Sequence, residues 1–260
     1  MAAPAVLGRS GNVNGSDTRS HAITLPGSIA AGNRLFVVFS CDQEVGSIKI
    51  DEAASGTGWE QQDFQANGVS LSAAAFTKVA DGGDALTLLT QSTQQSSHVS
   101  LRIEAANRVA FASAQGSSTN SDPPNLSLTD GSPTPEVLWV ATRSGDAAVV
   151  ATVAPSGYAN LQTQTGGASG ASTNTAEKTA TLISENPGTF TSTTEQWICY
   201  TVAFYNGNAG RDRLTQQVVE MVSISNPTGR VSQLVVEMVS VAGVAPGGGA
   251  NTSRTLVIAT

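Results

Sequence analysis

Few groups in this chain could do covalent chemistry. There are two histidines, His21 and His98, so a Ser/His/Asp site would need one of them, oriented by a carboxylate such as Asp17 or Asp51. No G-x-S-x-G elbow accompanies either, and both read as strand-edge residues. Glycoside cleavage needs two carboxyl groups facing each other across a cleft. The candidate pairs are Asp51 with Glu52, Asp42 with Glu44, and Glu60 with Asp63, and their ordinary reading is as turn and edge carboxylates. "ADGGDA" brings Asp81 close to Asp84 but lacks the spaced ligands and terminal Glu of a calcium loop, so a tight turn is expected. Cys41 and Cys199 have no C-x-x-C spacing for zinc. They end the two best central strands, which leaves an inter-sheet bridge of the immunoglobulin kind open, but a cytosolic route makes two buried free thiols the default. Catalytic residues, metal ligands and cofactors are accordingly expected to be none. Three tryptophans could stack on sugar rings. Trp139 and Trp197 sit in apolar strands and read as core, whereas Trp59, between Gly58 and Glu60, is the candidate exposed sugar platform.

The elements that would position these groups are strands. Short β-branched or aromatic runs such as "RLFVVFS", "LSAAAFTKVA", "HVSLRIEAA", "EVLWVATR", "AAVVATV", "TATLIS" and "QWICYTVAFY" alternate with Gly, Pro, Asn, Asp and Ser clusters. No helical crossover separates them before residue 210, so the sheets should be antiparallel and the class all-β, a β-sandwich of jelly-roll type. "SSTNSDPPN" from Ser117 and "TGGASGASTNT" from Thr165 read as loops. A weak internal repeat runs through the region. A hydrophobic strand, a Gly followed by an aromatic (Gly58–Trp59, then Gly157–Tyr158), a strand carrying a lysine (Lys78, then Lys178) and a last strand occur twice in that order. Two halves of about four strands each would close as one sandwich spanning 1–207.

Only 13% of the residues are charged, against about 25% in an average domain, so the surface must be built from hydroxyls and amides. A net charge of −7 with 13 Lys and Arg argues against binding nucleic acid by counterion release. "MAAPAVLGRS" lacks a basic and apolar leader pattern, and no run of 18 apolar residues occurs, so synthesis in the cytosol without membrane insertion is expected.

Beyond the strand-rich region, 208–260 holds two near-copies of one strip, "RLTQQVVEMVS" at 213–223 and "RVSQLVVEMVS" at 230–240, a 17-residue period with "NPTG" between them as a turn. As helices the strips would align Leu214, Val218, Met221 and Val222, then Val231, Val235, Met238 and Val239, on one face each. As strands, to which the doubled valines and short length incline them, both faces are mixed. Such strips left uncovered would aggregate. They are therefore expected to bury Leu214, Val218, Val219, Met221, Val222, Val231, Leu234, Val235, Val236, Met238 and Val239 against neighbouring chains, by strand addition or by a helix in a groove. The plainer alternative is a hairpin on the chain's own edge.

The strips resemble R-x-[ST]-Q-x-V-V-E-V-type repeats near the ends of phage virion proteins, particularly tail-associated ones. "ITLPGSIAAGNRLFVVFSCD", "GTGWEQ" and "PSGYANL" likewise resemble the strand pattern of β-sandwich domains in tailed-phage structural proteins, with Asn33 in place of the usual Asp and Met221 and Met238 in place of a branched residue. The resemblance implies a non-enzymatic virion part, tail- or fibre-associated, located in the particle and partnered by copies of itself and neighbouring virion proteins. The alternatives are a capsid decoration protein, a host-surface carbohydrate-binding module resting on Trp59, and a polysaccharide hydrolase.

Overall fold

The computed structural model describes residues 3–43, 46–104, 106–129, 136–146, 151, 153–166 and 170–207. The chain divides into two units, Met1–Gly207 and Asn208–Thr260, and the described residues all belong to the first. In chain order they form β1 (Ala5–Ala22), β2 (Arg34–Cys41), β3 (Ile48–Ile50), the single-turn α1 (Glu52–Ser55), β4 (Glu60–Asn67), β5 (Leu71–Val79), β6 (Thr87–Glu104), β7 (Arg108–Ser121), β8 (Leu126–Ser127), β9 (Val137–Gly145), β10 (Ala159–Thr165), β11 (Ser172–Ala180), β12 (Ser184–Glu185) and β13 (Phe190–Tyr205).

The class is all-β, and two antiparallel sheets pack as a sandwich. One sheet runs β1-β6-β2-β5-β4, with β3 also on β6, and the other runs β7-β13-β9-β11-β10; β8 and β12 form a small ribbon. Each large sheet is made by one half of the chain. That is not a jelly roll, in which strands cross between sheets; the hydrophobic pattern specified strands but not which sheet each would join. The two strand orders are the same once β1, β6, β2, β5 and β4 are matched to β7, β13, β9, β11 and β10. Packing across the sandwich obeys the same match: β2 lies on β9, β6 on β11 as β13 on β5, and β1 on β10 as β7 on β4. The halves are thus related by an approximate two-fold exchange. Leu35 pairs with Lys78, and Trp139 with Lys178. Counted on from those two residues, Ser40 and Ser144 are equivalent positions, and their buried hydroxyls hydrogen-bond to each other at 2.7 Å. Equivalent residues meet in this way near a two-fold axis.

Three cores hold the body. Between the sheets lie Phe36 and Val38 of β2, Val99, Leu101 and Ile103 of β6, Leu138 and Val140 of β9, and Ile198, Tyr200, Val202 and Phe204 of β13. The alternate residues point outward yet are buried as well: Leu35, Val37 and Phe39 with Trp59, Phe76 and Leu88 on one sheet, and Val137, Trp139 and Ala203 with Tyr158 and Phe190 on the other. Burial on both faces explains why β2 reads as an unbroken apolar run and not as an alternating one. Each fully buried side chain of this size contributes about 1.5–3 kcal/mol.

Some elements differ from expectation. β1 lies largely in "GRSGNVNGSDTRS", which has poor strand propensity; it forms because β6 offers a long edge of backbone partners. Residues 117–121 continue β7 and residues 172–175 begin β11, where loops were expected, for the same reason. "TATLIS" breaks after Ala180, and of "AAVVATV" only Ala151 and Val153 are described, Val153 bridging to Thr191.

The Gly-aromatic repeat has a structural cause. Described residues of the β2–β4 and β9–β10 connections, Ile48 and Ala151, pack into the outer cores of their own sheets. Just before each second strand a glycine takes a positive φ (Gly58, 88°; Gly157, 79°), and the next residue, Trp59 or Tyr158, turns into the outer core. Gly157→Ala should therefore destabilise the protein by about 1–2 kcal/mol through backbone strain alone, since no atom lies within 4 Å of the added methyl group. Gly27→Ala, equally open but without a positive φ, should leave the thermal midpoint unchanged; equal midpoints for the two variants would contradict this account.

Candidate functional site

The eleven expected assembly residues, from Leu214 to Val239, lie outside the described residues. The body does describe where that segment departs. β13 ends with Tyr205 paired to Arg108, and the next two residues are clasped by the β6–β7 turn: Asn107 N donates to Asn206 Oδ1 at 3.3 Å, and Gly207 N to Asn107 Oδ1 at 3.0 Å.

The sugar platform expected at Trp59 is not present. Trp59 is 8% exposed, packs with Phe76 and Leu88, and donates from Nε1 to Ala85 O at 2.8 Å. A ring in this position has no open face for a sugar. The neighbouring Gly and Glu suggested exposure, but it is the positive φ of Gly58 that turns the indole inward. Trp139 and Trp197 are core residues as expected, Trp197 donating to Ser118 Oγ.

The titratable candidates are held in structural roles. Asp51 caps α1, accepting from Ala53 N at 3.2 Å. Asp42 Oδ1 accepts from Gln95 N at 3.0 Å; its paired candidate Glu44 lies outside the described residues. Asp63 accepts from Phe64 N and Gln65 Nε2, and Glu60 from Gln62 Nε2. Asp81 and Asp84 form the expected tight turn, in which Gly82 N donates to Asp84 and Gly83 N to Asp81. Both carboxylates also hold Lys78 Nζ, at 3.1 and 2.7 Å. The second half repeats the tie: Lys178 Nζ reaches Glu185 at 2.9 Å and stands 5.7 Å from the Tyr158 ring centroid. Among the described residues no group of three or more His, Cys, Asp and Glu is placed to hold a metal ion.

His21 and His98 are buried on the outer face of the first sheet. Thr90 Oγ1 donates its one hydrogen to Ser92 O at 2.7 Å, so it must accept from His21 Nε2, 3.1 Å away. That leaves His21 Nδ1 to accept from Ser96 Oγ at 2.9 Å. The pair has the nucleophile–base half of a triad, but a threonine occupies the carboxylate's place, and Ser96 is itself buried. His98 Nε2 accepts from Thr24 N at 2.9 Å. Both rings are thus neutral acceptors, and burial lowers each from 6.5 to about 4.

Sequence reasoning passed over Arg143. Its side chain is fully buried, ion-paired with the equally buried Glu195, and donates to Ser121 Oγ, Ser172 Oγ and Asn174 Oδ1. Burial lowers the guanidinium to about 10, so it stays charged at neutral pH. The available signal was a charged residue inside "VLWVATRSG", whose need for an ionic partner follows from the cost of an unpaired buried charge. Cys199 pairs with Arg143 across the strands and Cys41 belongs to the outer core of the other sheet. The cysteines therefore face opposite sides of the sandwich, and both are free thiols. Burial raises Cys41 to about 12.

No family model matches the chain, and neither a curated protein nor a solved structure matches it.

Two outcomes are expected. Between pH 6.5 and about 4 the unfolded chain takes up protons at His21 and His98 that the folded chain refuses, so the histidine contribution is complete above pH 6.5 and is lost as pH falls through this window. The loss should be on the order of 2 kcal/mol per histidine in chemical unfolding, and a His21→Gln, His98→Gln variant should flatten the profile; a wild-type profile level from pH 7 to 4.5 would refute this. Glu195→Leu should cost about 3–5 kcal/mol by stranding a buried guanidinium, and adding Arg143→Met should restore most of it; urea midpoints of the single and double variants decide.

Proposed function

We propose that this chain is a non-enzymatic structural part of a tailed-phage particle, tail- or fibre-associated, whose sandwich is the body and whose 213–223 and 230–240 strips join it to its neighbours. The observation that carries the reading is the doubled valine-rich strip, with its resemblance to terminal repeats of virion proteins. The make-up of the body supports it: among the described residues the three cores are formed by side chains of Met1–Gly207, and the strips add a further apolar pattern in the sequence that a second chain can bury. The engagement of Asp42, Asp51, Glu60 and Asp63 in caps and local hydrogen bonds and of both histidines in neutral hydrogen bonds supports a mechanical role over a hydrolytic one. The burial of Trp59 removes the feature on which a carbohydrate-binding reading rested.

The mechanism is burial between chains. A handful of Val, Leu and Met side chains at about 1.5–3 kcal/mol each can hold a subunit after the cost of docking, and two copies raise avidity. Deletion of 210–260 should leave a folded monomer with an unchanged far-ultraviolet dichroism spectrum, while the full chain forms concentration-dependent assemblies in light scattering. A truncated chain that assembles as the full one does would reject the proposal.

A further inference from the structure

A sandwich has four strand edges, and an exposed edge with unpaired backbone groups invites a further strand unless something blocks it. Three of the four are blocked here. β1 departs from regular register at Val6/Gly8, Asn14/Thr18 and Thr18/Ser20 and carries Arg9, Asp17 and Arg19. β4 is irregular between Gln61 and Asp63 and carries both Glu60 and Asp63. β10 is irregular between Ala159 and Gln162, where Asn160 takes a φ of 54°. Bulges and charges of this kind are the ordinary guards of an edge.

β7 is less guarded. Its one register shift with β13 falls at its far end, between Thr191 and Glu195 of β13; from Arg108↔Tyr205 to Ser118↔Glu195 the pairing is continuous, and after Arg108 it has no charged side chain. Among the described residues no strand pairs with its outer side. From the facing sheet, Gln65 Nε2 reaches Ser113 Oγ and Asn67 Nδ2 reaches the Gly116 carbonyl, both beyond the first turns of the strand. There Val109 and Phe111 are only partly buried against the central core, and Ala110 and Ala112 only partly against the outer one. Both cores are therefore open at this edge. A strand that closed them would need apolar side chains on both faces, and each strip has them: Val218 and Val222 on one face with Val219 and Met221 on the other, then Val235 and Val239 with Val236 and Met238.

We infer that the outer edge of β7 accepts the valine-rich strip 213–223 from a second copy of this chain as the sixth strand of its sheet. The inference rests on the assembly reading above and names the surface through which assembly works. The occupant is assigned to another copy by chain length and direction. The chain leaves the body at Gly207, beside the first residue of β7. To run antiparallel to β7, as every neighbour in this sheet does, a strip must start at the Ser121 end. The 14 residues of β7 span roughly 45 Å at about 3.3 Å each, whereas the link from Gly207 to residue 213 reaches only about 20 Å when fully extended. A chain's own first strip therefore cannot take the place antiparallel, whereas one from a second copy can.

Hydrogen exchange read by mass spectrometry tests this on the full chain, with a full-length Val218→Pro, Val235→Pro variant as the comparison and β10 amides as the internal standard. The expected result is exchange at residues 109–112 about tenfold slower in the assembled wild type than in the variant, with the protection falling away on dilution and β10 unchanged. Assembly with β7 exchanging equally in both proteins would overturn the edge assignment and leave the assembly reading intact. Protection of β7 that does not respond to dilution would place the chain's own second strip there and overturn the second copy. A wild type that stays monomeric at every concentration would overturn the assembly reading itself.

Discussion

The central strands of both sheets are apolar on both faces, so each sheet has to be covered twice. In β2, Phe36 and Val38 point one way and Leu35, Val37 and Phe39 the other; β9 has the same division with Leu138 and Val140 against Val137 and Trp139. Packing the sheets together covers only one face of each. The remaining faces are closed by the chain's own connections, and this demand accounts for the long crossovers before β4 and β10, their glycine-aromatic plugs, and the lysines tied to carboxylates beside them. A shorter connection would leave an outer core open to water.

The polar groups obey the same constraint. Where the inter-sheet core gives way to polar residues, Ser40, Ser97, Ser144 and Thr173 bond to one another at 2.6–2.7 Å. Hydroxyls both donate and accept, so a small set can satisfy itself without water or charge. Arg143 and Glu195 achieve the same end with an ion pair wrapped in Ser121, Ser172 and Asn174, and the two histidines do so as neutral acceptors. These groups satisfy one another, although Trp139 Nε1 and Tyr200 OH are buried without a hydrogen-bond partner among the described residues. The same arrangement engages the nucleophile and base that sequence inspection would suspect.

The approximate exchange symmetry gives the body the character of two subunits fused in one chain, with β2 and β9 at the axis and the edge strands matched crosswise. The match is incomplete where it matters for association. β4 and its counterpart β10 are both irregular near their start, whereas β1 is irregular at three places along its length and its counterpart β7 only beyond Ser118. The matched edges of the two halves are therefore not equivalent in regularity.

Much of this was legible in the letters. Alternating and unbroken apolar runs specified strands and an all-β sandwich, because side-chain burial at a two-residue period needs no long-range knowledge. The twofold order of strand, Gly-aromatic, lysine strand and strand could be read directly, and so could the turn at Asp81 and Asp84. Tertiary structure decided the rest. Which sheet a strand joins depends on partners far along the chain, so the division of the strands into one sheet per half was not recoverable and a jelly roll was expected in its place; nor was β1 recoverable, whose polar residues become a strand only because β6 supplies its hydrogen bonds. Trp59 shows the limit most clearly: its neighbours in sequence are small or charged, but a positive φ at Gly58 turns the ring into a core built by β2, β5 and β6. Arg143 shows the converse, since only the fold could name Glu195 as the opposite charge that lets it lie buried.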